Sequence, residues 1–442
     1  VHRVAPDLKS AYEKAFNAGV DMSMVPLSPD YKTYCDLILQ SVKEGNITSA
    51  RLDDAVNRIY RTKEVVGLFD FHQPVLSSYT AFGSQQHKNA SKQAALESIT
   101  LLKNNGILPL KTNAKFLVAG PCADNLVYLN GAWSHTWQGM DTSFNTKGCK
   151  TIAQALREKY GEQCLFSKGV ELFKEKEIEQ SRFVSLEDYI KKLDEVETVV
   201  LCLGEVPATE KPGDIRSLHL DSKQLELAKM AYAKHKNVIL VLVEGRPRII
   251  RDIVDSAGAI VQCYLPGDYG AEALVELLSG EKNFSGKLPY TYPKYDGVIE
   301  FYDRSRSVDR SNVGDFAAFN PQWPFGFGLH YGEVRYEHLK SNEVLSENSP
   351  WEITIDVINQ SNREIDEVVQ LYVGDEFASV VPAGEQLKRF LKVKIPAGQT
   401  KEVRFVLNRE DLMFVNEAGE WVFEPGKFNF SIGTKKGSVV FK

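Results

Sequence analysis

Three carboxylates, Glu205, Glu210 and Asp214, fall within the eleven residues Gly204 to Asp214, directly after the apolar run Val199 to Leu203. A strand-like run that stops at a glycine and is followed by acids marks a loop leaving the carboxyl end of a strand. Ligands of open α/β sheets bind at such loops. Pro212 and Gly213 make the segment a shaped turn rather than a helix start. A carboxylate here is placed to bind a ligand or pass a proton, although an exposed loop glutamate is more often simply solvated.

Other residue types that do chemistry lie elsewhere. Trp133 and Trp137 stand four apart around His135, a spacing that suits two packed aromatics as well as a ligand platform. His135 has no base or metal partner visible in the sequence, and surface packing is expected for it. Arg246, in the turn Gly245-Arg246-Pro247, is expected to form a structural ion pair at a strand end. Gly267-Asp268-Tyr269-Gly270 opens a helix but lacks both the Gly-x-Gly-x-x-Gly fingerprint and the phosphate-loop lysine, so a nucleotide is not expected. No metal-ligand spacing occurs, and no metal is predicted.

The 442 residues are 43% hydrophobic and 25% charged, with a net charge of −6. These values describe a soluble globular chain of two or three domains with a proper core. No basic stripe exists to neutralise phosphates, so nucleic acid is not an expected partner. No apolar run approaches the ~20 residues that span a bilayer. Val1 to Pro6 is neither an initiator methionine nor a signal peptide, and the chain reads as a piece of something longer. Of six cysteines, Cys202 and Cys263 sit in apolar runs as small buried hydrophobes, while Cys149 and Cys164 flank a helix-like stretch and could pair. Sequons at Asn46, Asn89, Asn283, Asn359 and Asn429 fit a secretory route.

The elements that must hold these residues follow from periodicity. Residues 1–72 read as helices around a short strand at Gly19 to Met22, too little to close a sheet without partners. Residues 73–87 read as a linker. Residues 88–297 alternate strand and helix, with strands at Phe116 to Ala119, Val199 to Leu203, Val238 to Val243 and Ala259 to Tyr264. Continuous apolar runs suit parallel strands covered on both faces, so a doubly wound α/β sandwich is predicted. One of its helices is expected to start at Ser185 as the cap, with Asp188 three residues on. Residues 298–330 read as an irregular crossing. From 331 to 442 the period changes to two, as in Ile353, Ile355 and Val357, predicting an antiparallel sandwich of the immunoglobulin or fibronectin type III kind.

Ordered motifs run the length of the chain. They are Ala18-Gly19-Val20-Asp21-Met22, Asn57 to Lys63, Gly67-Leu68-Phe69-Asp70, Glu97 to Asn104 with Leu108-Pro109-Leu110, and Gly131 to Gly139. Glu244-Gly245-Arg246-Pro247, Ser285 to Pro289 and Pro324 to Leu329 follow. In this order and spacing the chain resembles the carboxy-terminal part of glycoside hydrolase family 3, the β-glucosidase-type enzymes. The resemblance covers essentially all 442 residues.

The resemblance implies an exo-acting, cofactor-free β-glucosidase working by the retaining route, which needs two carboxyl groups about 5.5 Å apart. Thr209-Glu210-Lys211-Pro212-Gly213-Asp214 matches the family motif Thr-Glu-x-x-Gly-Asp; Glu210 is then the general acid/base. Trp137 inherits the role of flanking the leaving-group subsite, and Trp133 is structural. Glu205 braces the loop, and Asp214 orients backbone or sugar. The family's nucleophile lies in a Ser-Asp-Trp-type motif that is absent here, and Asp21 matches a different, structural position. The nucleophile is therefore expected upstream of Val1, with residues 1–72 finishing a (β/α)8-type barrel. Expected partners are β-linked glucosides or oligosaccharides, and a homodimer is compatible with the resemblance. An extracellular, periplasmic or lysosomal home is implied. The rival expectation is a catalytically inactive fragment that binds carbohydrate or acts as a scaffold.

Overall fold

Asp7, Thr48 and Ser84 each precede a helix and accept a hydrogen bond from the backbone N–H three residues on, the arrangement that satisfies an orphan first-turn donor. The computed structural model describes residues 4–26, 29–70, 72–175, 178–234, 237–298, 302–303 and 320–442. It divides into two units, Val1–Phe82 and Gly83–Lys442.

The first unit carries α1 (Leu8–Asn17), α2 (Asp30–Lys43) and α3 (Ser49–Val65). Phe16, Ile47 and Ala55 form its small core. Asp21 accepts hydrogen bonds from Arg51 at 2.8 Å and pairs with Arg58 Nε at 3.0 Å, tying the segment after α1 to α3. The short strand expected at Gly19 to Met22 does not form; that segment is irregular. A strand needs a hydrogen-bonding neighbour, and this segment has none among the described residues of its unit.

The second unit opens with α4 (Gln85–Ser98), so residues 85–87, expected as the end of a linker, are its first turn. Strands β1 (Thr100–Asn104), β2 (Phe116–Ala119) and, after α5 (Leu126–Asn130) and α6 (Ile152–Tyr160), β3 (Cys164–Ser167) follow. The hairpin β4 (Gly169–Glu175) and β5 (Ile178–Val184) precedes α7 (Leu186–Leu193), β6 (Thr198–Gly204), α8 (Ser222–Lys234) and β7 (Asn237–Val243). Helix α9 (Arg251–Val254), β8 (Ala259–Gln262) and α10 (Gly270–Leu278) complete the set. The six-stranded sheet runs β1-β8-β7-β6-β2-β3. Only β1 is antiparallel.

Residues of β6 alternate between two cores. Val200 and Cys202 pack with α4, α6 and α10, whereas Val199, Leu201 and Leu203 pack with α7, α8 and α9. That alternation places helices on both faces of a mixed α/β sheet. Ser185 does not cap α7 with its side chain; it adopts φ 50° and makes no side-chain bond to the helix. All six cysteines are free: Cys164 is buried in one core, Cys149 lies half-buried on a loop, and the pairing left open for them is not made.

The expected crossing over 298–330 lies largely outside the described residues. Its described end is held to β1 by Leu329 N–H donating to Leu101 O at 2.8 Å and to the stretch after α10 by Gly326 N–H donating to Leu288 O at 2.8 Å. Beyond it, a three-stranded sheet (Thr400–Leu407, Trp351–Asn359, Val334–Ser341) faces a five-stranded one containing Ile365–Asp375, Gln386–Ile395, Lys427–Ile432 and Lys435–Phe441. Trp351, Ile353, Ile355 and Val357 meet Val369, Leu371, Phe428 and Phe430 in the sandwich core.

Candidate active site

Strand β6 delivers the chain to the site through Gly204. A Cβ there would lie 1.9 Å from Val243 O and 3.0 Å from Cys122 Sγ, so only glycine lets β6 and β7 approach at this point. Buried Gln224 of α8 clamps the strand end, accepting from Gly204 N–H at 2.9 Å and donating to Gly204 O at 2.8 Å.

Glu205 follows, 6% exposed. Its Oε1 accepts the backbone N–H groups of Gly245 and Arg246 at 3.0 and 2.9 Å. Its Oε2 accepts Arg246 Nε at 2.8 Å and Arg248 Nε at 2.9 Å. Arg248, 4% exposed, reaches Glu179 of β5 at 3.1 Å, and Glu179 also accepts Val206 N–H at 2.9 Å. Burial pushes the Glu179 carboxyl up, against the pull of Arg248. Arg246 donates onward to Gly213 O at 2.5 Å, pinning the far end of the loop. Two guanidiniums thus face the two carboxylates Glu205 and Glu179.

Glu244 lies beneath this layer, fully buried. It accepts from Tyr292 Oη at 2.9 Å and from Arg248 N–H at 3.2 Å, while its second oxygen has no partner. Burial pushes its pKa up to about 8 against those hydrogen bonds.

Glu210 occupies the exposed tip of the loop with φ 52° and ψ −155°, a backbone region that side-chain-bearing residues rarely adopt. Gly213 N–H donates to Glu210 O at 2.8 Å, closing the Lys211–Gly213 turn. Exposed Asp214 ends the turn, its N–H donating to Lys211 O at 3.1 Å.

The segment between α5 and α6 comes down on this tip. Trp137, 48% exposed, donates its indole N–H to Glu210 Oε2 at 3.0 Å. Trp133, 65% exposed with φ 61°, donates to Thr209 Oγ1 at 3.0 Å. Gln138 clasps the backbone of Thr209, donating to its O at 3.1 Å and accepting its N–H at 3.3 Å. His135 is not without a partner, as its sequence context suggested: its Nε2 lies 3.2 Å from Asp268 Oδ1. The two residues are 133 apart in sequence, which hides the pair from any local pattern.

Gly131, Ala132, Pro207, Thr209, Glu210, Arg246 and Leu265 line a cavity of ≈ 310 Å³ at the carboxyl ends of β6 and β7. Its two acids differ sharply: Glu205 is held by two arginines, while Glu210 presents a carboxylate to solvent with one indole donor. Such a group can donate and accept a proton at a bound ligand. Glu179, Arg248, Glu244 and Asp268 escape sequence reading because their partners come from other strands and loops. For Glu244 and Arg248 a local hint exists, charged residues between the apolar runs Val238–Val243 and Ile249-Ile250. The described residues contain no cluster suited to a metal ion and no helix long and apolar enough to cross a membrane.

Residues 99–331 match the glycosyl hydrolase family 3 C-terminal domain, and 367–436 match a fibronectin type III-like domain. The chain is 31% identical to the lysosomal beta glucosidase of Dictyostelium discoideum over 98% of its own length and 54% of the relative's. It is 29% identical to the periplasmic beta-glucosidase of Salmonella typhimurium, over 99% of itself and 60% of that protein. The crystal structure of a beta-glucosidase from Listeria innocua in complex with glucose superposes with a TM-score of 0.81 at 26% identity, covering 100% of this chain and 61% of that one. The chain thus spans little more than half the length of the relatives it matches. It belongs to glycoside hydrolase family 3.

Proposed function

We propose that this chain is the acid/base-bearing part of an exo-acting β-glucosidase that releases terminal β-D-glucose by the retaining route. Glu210 is the general acid/base. It protonates the departing glycosidic oxygen, and then takes the proton of the water that frees the sugar from the enzyme. Trp137 flanks the leaving-group side, where its indole offers an apolar face to the C–H face of a sugar ring and its N–H holds Glu210. Glu205 and Asp214 support the loop, and Trp133 anchors the tryptophan segment on Thr209. The nucleophile is an aspartate of a (β/α)8-type barrel outside these 442 residues, and residues 1–72 are the carboxy-terminal end of that barrel. The exposed apolar side chains Val56, Tyr60, Val65 and Phe69 of the first unit support this last point. No cofactor takes part. The lysosomal and periplasmic relatives support a secretory destination.

The observation that carries the reading is the solvent-facing Glu210 carboxylate bonded to Trp137 at the rim of the cavity, in a chain of this family. Proton NMR of nitrophenyl β-glucoside hydrolysis by the barrel-carrying enzyme, whose leaving group is not itself glucose, tests it. β-Glucose is expected as the first-formed anomer; α-glucose first, or no glucose at all, contradicts it.

A further inference from the structure

The turn Gly267–Gly270 touches the tryptophan segment at three points. Gly267, at φ 77°, donates its N–H to Leu129 O at 2.9 Å and turns Asp268 towards the segment. Asp268 Oδ1 accepts Asn130 Nδ2 at 2.9 Å and meets His135 Nε2 at 3.2 Å, while Oδ2 accepts the hydroxyl of Thr146. Asn130 stands where the segment leaves α5, His135 between the two tryptophans, and Thr146 beyond them. One largely buried carboxylate therefore holds the beginning, middle and end of a stretch that has little regular structure of its own.

The opposite side of the same stretch carries the bonds from Trp137 to Glu210, from Trp133 to Thr209 and from Gln138 to Thr209. With Asp268 on one side and the acid-bearing loop on the other, the segment is a plate held at both faces. Because three bonds converge on a single side chain, its removal frees the plate as a unit. Hydrogen bonds to a charged group are the stronger kind.

We infer that Asp268 is a positioning residue that latches the Asn130–Thr146 segment and so fixes Trp137 against Glu210. The kinetic consequence rests on the acid/base reading of Glu210; the latch itself does not.

Hydrogen exchange followed by mass spectrometry on the 442-residue chain tests the latch without reference to activity. In Asp268→Ala, amides of residues 131–149 should exchange roughly tenfold to a hundredfold faster, the range expected for losing bonds to a charged group, while β6 and β7 stay protected. Thr146→Val, which removes one bond from the segment's side, should give a smaller acceleration in the same residues. Asp268→Asn keeps the Oδ1 acceptor and should resemble Thr146→Val. In the barrel-carrying enzyme, Asp268→Ala should lower kcat/KM on cellobiose by about tenfold or more through misplacement, with Asp268→Asn restoring most of it.

Unchanged exchange at 131–149 in Asp268→Ala and Thr146→Val overturns the inference. So does acceleration spread evenly over the sheet in both variants, and so does faster local exchange with kcat/KM intact while Glu210→Ala is inactive. If Glu210→Ala keeps the parent's activity, the acid/base reading falls, and the exchange result alone decides the latch.

Discussion

Trp137 donates its indole N–H to Glu210 Oε2 across 3.0 Å, joining residues 73 apart in sequence. The bond fixes a carboxylate at the tip of an exposed turn whose backbone is itself in an uncommon conformation. In the barrel-carrying enzyme, Trp137→Phe keeps a ring for stacking and removes the donor. It should slow cellobiose hydrolysis by about tenfold, the scale of one hydrogen bond to a charged group. Trp137→Ala should also raise KM, since the platform goes too. Steady-state kinetics with equal values for all three proteins would refute the pairing.

Glu205→Ala leaves Arg248, 4% exposed, without its strongest acceptor. Breaking one partner of a buried pair costs about 3–5 kcal/mol. The urea midpoint of the second unit should fall accordingly. A midpoint shift below about 1 kcal/mol equivalent would mean that water reaches this network.

Glu244 gives stability a pH dependence of known sign. Its folded-state pKa of about 8 lies above the ordinary 4.5 because of burial. Between those values the native state keeps a proton that the unfolded chain has released. Stability linked to this group is therefore fully present below pH about 4.5 and is lost as pH rises through about 8. Glu244→Gln cannot ionise. The variant's stability relative to the parent should improve by on the order of a few kcal/mol between about pH 5 and about pH 9. Parallel stability profiles for the two proteins would show that Glu244 titrates normally.

Gly139→Ala is expected to open the tryptophan segment. Gly139 has φ 74°, and a Cβ there would fall 2.3 Å from Gly131 O. Backbone cannot yield as a side-chain tip can, so the loop must part. Tryptophan fluorescence should move to the red as the indoles gain solvent, with the sheet's circular dichroism unchanged. An unaltered emission spectrum would mean that the loop closes without Gly139.

Much of this was legible in the sequence, and the illegible parts share a cause. Strands β2, β6, β7 and β8 announce themselves as unbroken apolar runs because both faces of each are buried. Edge strands β1 and β3 mix polar residues into their apolar ones, as in Thr100-Leu101-Leu102-Lys103-Asn104, and the β4–β5 hairpin is half polar, so each passes for loop. Ile353, Ile355 and Val357 show the sandwich because one face of their strand is dry. Glu210 and the two tryptophans were visible as loop residues of telling types. The layer beneath them was not: Glu179 and Arg248 lie 69 residues apart, and Asp268 and His135 lie 133 apart. Such pairs exist only once the sheet has formed. Ser185 misled because a good capping residue was followed by suitable acids, yet the turn out of β5 requires it at positive φ.

Leaving-group dependence tests most directly whether Glu210 is the proton donor. A dinitrophenolate departs without protonation, whereas the hydroxyl of a sugar does not. Acid–base help is typically worth ~10²–10⁴-fold. In the barrel-carrying enzyme, Glu210→Ala should therefore lose that factor on cellobiose while hydrolysing dinitrophenyl glucoside nearly as the parent does in its first step. Added azide should then trap the sugar as the β-glycosyl azide. Equal slowing of both substrates, with no azide product, would contradict the account and assign the donor to another residue.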